Sequence, residues 1–272
     1  MSHLQDKIRD IEEQKVGASH KRVLLVEGVD DVHAITEFAQ KKDANMLKQW
    51  VITEAGKKYD VLAMLEKKPE WLGIVDRDEW TLEVIREKEE ACPNLWILPR
   101  FCIESYVIVP SELWAALPQN QKLKINGGQQ ALEEEIRKYM DRWLKHGVLW
   151  STINPLLEGL RAKGFKEKLL KPQVALDEAT IQNTLKEWHD YLNPDKLWSD
   201  YEQQLASVQD LPFEDQLKCW VHGKLFFNSV INNVLNQSLG VQKSSKRRID
   251  LFKSCPTPND FDGLWQRMST HP

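Results

Sequence analysis

The first part of the chain switches repeatedly between two hydrophobic rhythms. Short continuous apolar runs occur in "RVLLVEG", "QWVITEA", "EWLGIVDRD" and "NLWILP", and each reads as a buried strand. Between them, residues 30–41, 60–67 and 80–91 carry apolar positions at helical spacing. Strand and helix in alternation predict an α/β fold with a mostly parallel sheet covered on both faces. Ahead of it, Leu4, Ile8 and Ile11 lie at helical spacing and predict an N-terminal helix.

From about residue 111 the rhythm becomes helical throughout. "ALEEEIRKYMDRWLKHG", "ATIQNTLKEWHDYLN", "DKLWSDYEQQLASV" and "FEDQLKCWVHGKLFFNSVINNVL" all place apolar residues at i, i+3 and i+4. Prolines 118, 155, 172, 194 and 212 are expected to separate the helices. The expected organisation is an N-terminal helix (1–19), a sheet domain (20–110) and a C-terminal α-helical domain (111–272).

Composition mainly excludes. Across 272 residues, 42% are hydrophobic and eleven are tryptophan, enough for a substantial core. No run approaches the roughly 18 apolar residues of a membrane span. The charged start "MSHLQDKIRDIEEQ" has no signal-peptide core, so a cytoplasmic protein without membrane contact is expected. Four cysteines without a C-x-x-C pair favour reduced, buried thiols over disulfides or zinc. The net charge of −4 announces no nucleic-acid binder, so any polyanion would be met by local basic patches or by metal.

The chemistry lies where strands end. Glu27 closes the first apolar run, and Asp31 follows in the first helical turn; Asp76 and Asp78 close the third run. In parallel sheets, sites form at the carboxyl ends of strands. Carboxylates converging there repel unless neutralised, and hard divalent cations with oxygen ligands do this. Acids in a first helical turn also serve as ordinary caps and dipole partners, which is the simpler reading of Asp30.

"LLVEGVDDVHAI" followed by "LGIVDRDEW" resembles the TOPRIM domain of primases, topoisomerases and the overcoming-lysogenization-defect (OLD) nucleases. The resemblance covers about residues 20 to 110. It implies a compact Rossmann-like sheet and Glu27 as a metal ligand or general acid/base, with Asp31, Asp76 and Asp78 on or near Mg²⁺ (Mn²⁺ being the alternative). "LPRFCIESYVIVP" resembles the I-E-N-Y-like motif of OLD-type proteins, including the stand-alone AriB-like effectors of the PARIS anti-phage system. It adds Glu104 to the metal set, with Ser105 where asparagine is commoner. "KCWVHGKLFF" resembles the family's glycine–lysine signature and implies Lys224 as a catalytic residue; a surface lysine is the plain alternative. No G-x-x-x-x-G-K-[ST] is present, so the ATPase fused in OLD proteins would be a separate partner chain.

Basic residues gather at 161–171 and in "KSSKRR", where Lys243, Lys246, Arg247 and Arg248 are candidates for contact with a DNA or RNA backbone. Isolated charge runs of this kind are more often solvated helix faces. His33 and His222 are weaker candidates for proton transfer, and Trp80 for base stacking or, more simply, packing. Two functional classes follow. One is a metal-dependent nuclease acting as a toxic anti-phage effector, restrained by an ATPase and able to self-associate on release. The other is a non-catalytic regulatory or nucleic-acid-binding module that keeps the shape.

Overall fold

The computed structural model describes residues 3–271. Four strands, β1 (Arg22–Val26), β2 (Trp50–Glu54), β3 (Leu72–Val75) and β4 (Leu95–Ile97), form an all-parallel sheet in the order β2-β1-β3-β4. The crossover helices are Val29–Lys42, Lys58–Lys67 and Leu82–Ala91. Chain direction across the sheet reverses between β1 and β3. A crevice therefore opens between their carboxyl ends, the place where parallel α/β sheets hold their ligands.

β1 shows why the sheet is covered on both sides. Leu24 and Val26 point into one apolar cluster, together with Ile35 and Phe38. Val23 and Leu25 point into the other, with Val61, Met64 and Leu65. Alternation along the strand places successive side chains on opposite faces. The N-terminal helix His3–Asp10 and the turn that follows add Ile8 and Ile11 to the second cluster.

The first cluster runs without interruption from the sheet into the helical half, through Leu113, Ile136, Phe226, Phe252 and Trp265. The boundary expected near residue 111 therefore divides the chain in sequence and not in packing. The helices Met140–Ala162 and Pro194–Gln209 share a small separate cluster at Leu144, Val148 and Val208.

Two expectations about helix ends change. Pro155 lies inside the helix Met140–Ala162 and does not end it. The run expected at 213–235 is broken after Phe213–Cys219 and resumes at Gly223–Phe226. That break lets the chain press against the turn carrying Glu104. Among the described residues, no helix is long and apolar enough to cross a membrane.

Candidate metal centre

Glu27 follows β1 directly, and Asp76 follows β3 directly. They face each other across the crevice, where Glu27 Oε1 accepts the backbone N–H of Asp76 at 2.8 Å. Asp76 Oδ1 accepts the N–H of Ile103 at 3.1 Å, tying the end of β3 to the short helix Ile103–Val107 after β4. Asp31 Oδ2 accepts the N–H of Gly28 at 2.7 Å and so caps the start of its own helix. Asp78 sits in the left-handed region at φ 50°, which aspartate tolerates better than most residues. Its N–H donates to the carbonyl of Phe101 at 2.8 Å.

These bonds draw the acids into one electrostatic unit. Burial raises the pKa of Asp76 well above the usual carboxylate value, and the charges of Asp31, Asp78, Glu27 and Glu104 push it further. Burial, then Glu104, carries Asp31 to about 8. Glu27 is raised chiefly by burial, opposed by the charge of Lys58. Glu104, only 2% exposed, is raised by burial against the pull of Lys224 and Arg248. Charges interacting this strongly in a desolvated place favour protonation or a bound cation.

Three basic side chains ring the acids. Lys224 Nζ lies 3.3 Å from Asp30 Oδ2 and 3.9 Å from Glu104 Oε1. Burial opposes its charge, but Glu104 and Asp30 raise its pKa overall. Arg248 donates from Nη2 to Asp30 at 2.8 Å, and its Nε stands 3.8 Å from Glu104 Oε1. On the other side, Lys58 Nζ donates to Asp78 Oδ2 at 2.7 Å and lies 4.0 Å from the centre of the Trp80 ring.

Glycine explains how Lys224 arrives there. A Cβ on Gly223 would come within 2.7 Å of Cys102 Sγ and 3.0 Å of the Ser105 nitrogen. Real side-chain carbons do not approach so closely, so only glycine lets this helix start rest on the Glu104 turn. The long helix Met140–Ala162 secures the loop beyond β3 in turn. Asn154 Nδ2 donates to Glu79 at 2.7 Å, and Trp150 Nε1 donates to the same carboxylate at 3.4 Å.

The proposed ligand residues Glu27, Asp31, Asp76, Asp78 and Glu104 are therefore brought together, with Lys224 beside them. The run at residues 243–248 is not one exposed basic patch. Lys243 and Lys246 are exposed, but Arg247 and Arg248 are each 4% exposed. Arg247 donates to Asn232 Oδ1, Asn236 Oδ1 and the Gly240 carbonyl. Arg248 is held by Asn228 and Asp30. A phosphate backbone does not reach side chains buried and bonded in this way, so the expected contact narrows to the two lysines. Trp80 packs beside the second cluster under Lys58. His33 is exposed, and the His222 ring lies tilted against Phe101 and edge-on to Trp150.

Sequence reasoning missed Lys58 and misplaced Arg248. Lysine is common on helix surfaces, so nothing in its spacing marked Lys58. Arg248 and Asp30 meet only through the tertiary fold.

The donor set suits a hard divalent cation: several carboxylates, desolvated and mutually repelling. Glu104 Oε1 is buried and makes no hydrogen bond; Lys224 Nζ at 3.9 Å and Arg248 Nε at 3.8 Å are the cations that face it. Yet among the described residues no three His, Cys, Asp or Glu side chains stand as a ready-made metal-binding group. Lys58, Lys224 and Arg248 already occupy the carboxylates at its rim.

Comparison of the chain with protein-family models, curated proteins and solved structures returned no match.

Proposed function

We propose that this protein is a Mg²⁺-dependent nuclease of TOPRIM type, a toxic effector of anti-phage defence held in check by a separate ATPase. The observation carrying this reading is the meeting of Glu27, Asp31, Asp76, Asp78 and Glu104 at the β1/β3 crevice with Lys224 alongside. A bound divalent ion would supply Lewis acidity toward a phosphate oxygen and make a water it holds more acidic than bulk water.

The chain's own residues account for the rest. Glu27, fixed by the Asp76 N–H and raised in pKa by burial, is the residue placed to take and return a proton. Asp31, Asp76, Asp78 and Glu104 supply oxygen donors. Lys224, whose side chain is 53% exposed, is free to meet charge developing on the phosphate while anchored near Glu104. Arg248 stays buried and fixes Asp30, which makes it a positioning residue. Lys243 and Lys246 offer surface charge to a DNA or RNA strand.

A second reading has one observation in its favour. The rim acids already carry basic partners, as they would in a non-catalytic regulatory module of the same shape. Expression in cells separates the two. The nuclease reading expects wild-type protein to be toxic, Glu27→Ala to be harmless at equal abundance, and an ATPase encoded beside the gene to suppress toxicity by complex formation on size exclusion. Equal tolerance of wild type and Glu27→Ala, with no complex, favours the regulatory module.

A further inference from the structure

Lys58 begins the helix after β2, on the flank of the crevice opposite Lys224. Its ammonium is placed with unusual economy. Nζ donates to Asp78 Oδ2 at 2.7 Å, the Trp80 ring covers it at 4.0 Å, and the side chain is only 14% exposed. The same residue's backbone N–H faces the Glu27 carboxylate. One residue thus touches two of the five acids, from a strand end that supplies none of them.

An ammonium this enclosed has given up much of its hydration, and Asp78 with the face of Trp80 is its compensation. Asp78 in turn is held in a left-handed turn by its N–H bond to Phe101. With Lys58 on its carboxylate, Asp78 cannot present that oxygen to a cation.

We propose that Lys58 is a built-in counter-cation of the acidic crevice: it occupies Asp78 in the resting protein and is exchanged for the incoming divalent ion. The inference rests on the reading of the crevice as a metal centre, and assigns a role to a residue outside the ligand set. When a metal takes Asp78, the ammonium loses its carboxylate but keeps the Trp80 face. It is then free to approach a bound phosphate. Lys58 is a positioning residue in the resting state, and the exchange makes no covalent bond.

Substitution with methionine keeps the aliphatic stem against Trp80 and removes the charge. Calorimetric titration with Mg²⁺ and Mn²⁺, without nucleic acid, is the readout, with thermal melting to verify folding. Lys58→Met is expected to bind the metal roughly tenfold tighter, the scale of one partly buried ion pair. That gain is expected to vanish in an Asp78→Asn background, because the competition is for the Asp78 oxygen. A gain that persists with Asp78→Asn overturns the exchange and leaves a general field effect. Unchanged or weaker binding in a folded Lys58→Met protein also overturns it, while metal binding by the wild type leaves the metal-centre reading standing. If neither protein binds metal, the metal-centre reading itself fails, and this inference falls with it. Should Lys58→Met not fold, Lys58→Gln provides the same comparison.

Discussion

Glu27 and Asp76 are joined by a hydrogen bond from the Asp76 backbone N–H to Glu27 Oε1 at 2.8 Å, across the point where the sheet reverses its strand order. Each residue follows the last apolar position of its strand. The bond gives the Glu27 carboxylate a fixed orientation in a place where burial and neighbouring charge would otherwise disfavour it.

Glu27→Gln keeps an acceptor for that N–H and removes the acid. Nuclease activity is expected to fall by about a hundredfold or more, the scale of a lost general acid/base. The melting temperature is expected to change little, because the loss of a repelling buried charge offsets the weaker hydrogen bond. Turnover and melting measured on the same preparation check this.

Gly223→Ala tests how Lys224 is positioned. The new methyl meets Cys102 Sγ and the Ser105 nitrogen at distances that force backbone movement. A stability loss of about 1–3 kcal/mol is expected, the usual cost of overpacking. Activity of the folded fraction should drop at least as far as in Lys224→Ala. Denaturant unfolding and steady-state kinetics provide both numbers.

Arg248→Ala and the pair Lys243→Ala/Lys246→Ala separate buried from exposed charge. Removing Arg248 takes from Asp30 its 2.8 Å partner and from Glu104 one of its two neighbouring cations, leaving Lys224. A loss of about 3 kcal/mol is expected, as for a broken buried pair. The lysine pair should leave stability within about 0.5 kcal/mol while weakening affinity for nucleic acid and its salt dependence. Unfolding curves and binding titrations at two salt concentrations distinguish them.

The acids also predict a pH dependence. Asp31 titrates near 8 in the folded protein because of burial and then Glu104, and near its ordinary low value when unfolded. Its folded pKa is raised, so the folded state holds the extra proton between those values. Its contribution to stability is complete at low pH and is lost as pH rises toward about 8. Metal-free wild type should therefore lose stability relative to Asp31→Asn between about pH 5 and about pH 9, and Mg²⁺ should protect most at the alkaline end. Melting curves of both proteins, with and without Mg²⁺, give the comparison.

Much of the sheet was legible because its signals are local. Apolar runs ending in Glu27 and Asp76 mark both the strands and the crevice, since strand alternation and burial act over a few residues. Glu104 was legible through its motif. What escaped depends on distant packing. Lys58 acquires its place only when the helix after β2 meets the loop after β3. Arg248 looks like surface charge until its helix closes over Asp30. The division at residue 111 follows a real change of rhythm, but both sides contribute to one apolar cluster, which periodicity does not reveal.

The most direct measurement is cleavage by the purified protein. Labelled single- and double-stranded DNA and RNA are incubated with wild type and Glu27→Gln, in Mg²⁺, in Mn²⁺ and in EDTA. The account predicts phosphodiester cleavage of at least one substrate by the wild type with metal, abolished by EDTA and by Glu27→Gln. Cleavage that survives either loss, or a folded wild-type protein that binds no metal and cuts none of the substrates, would contradict it.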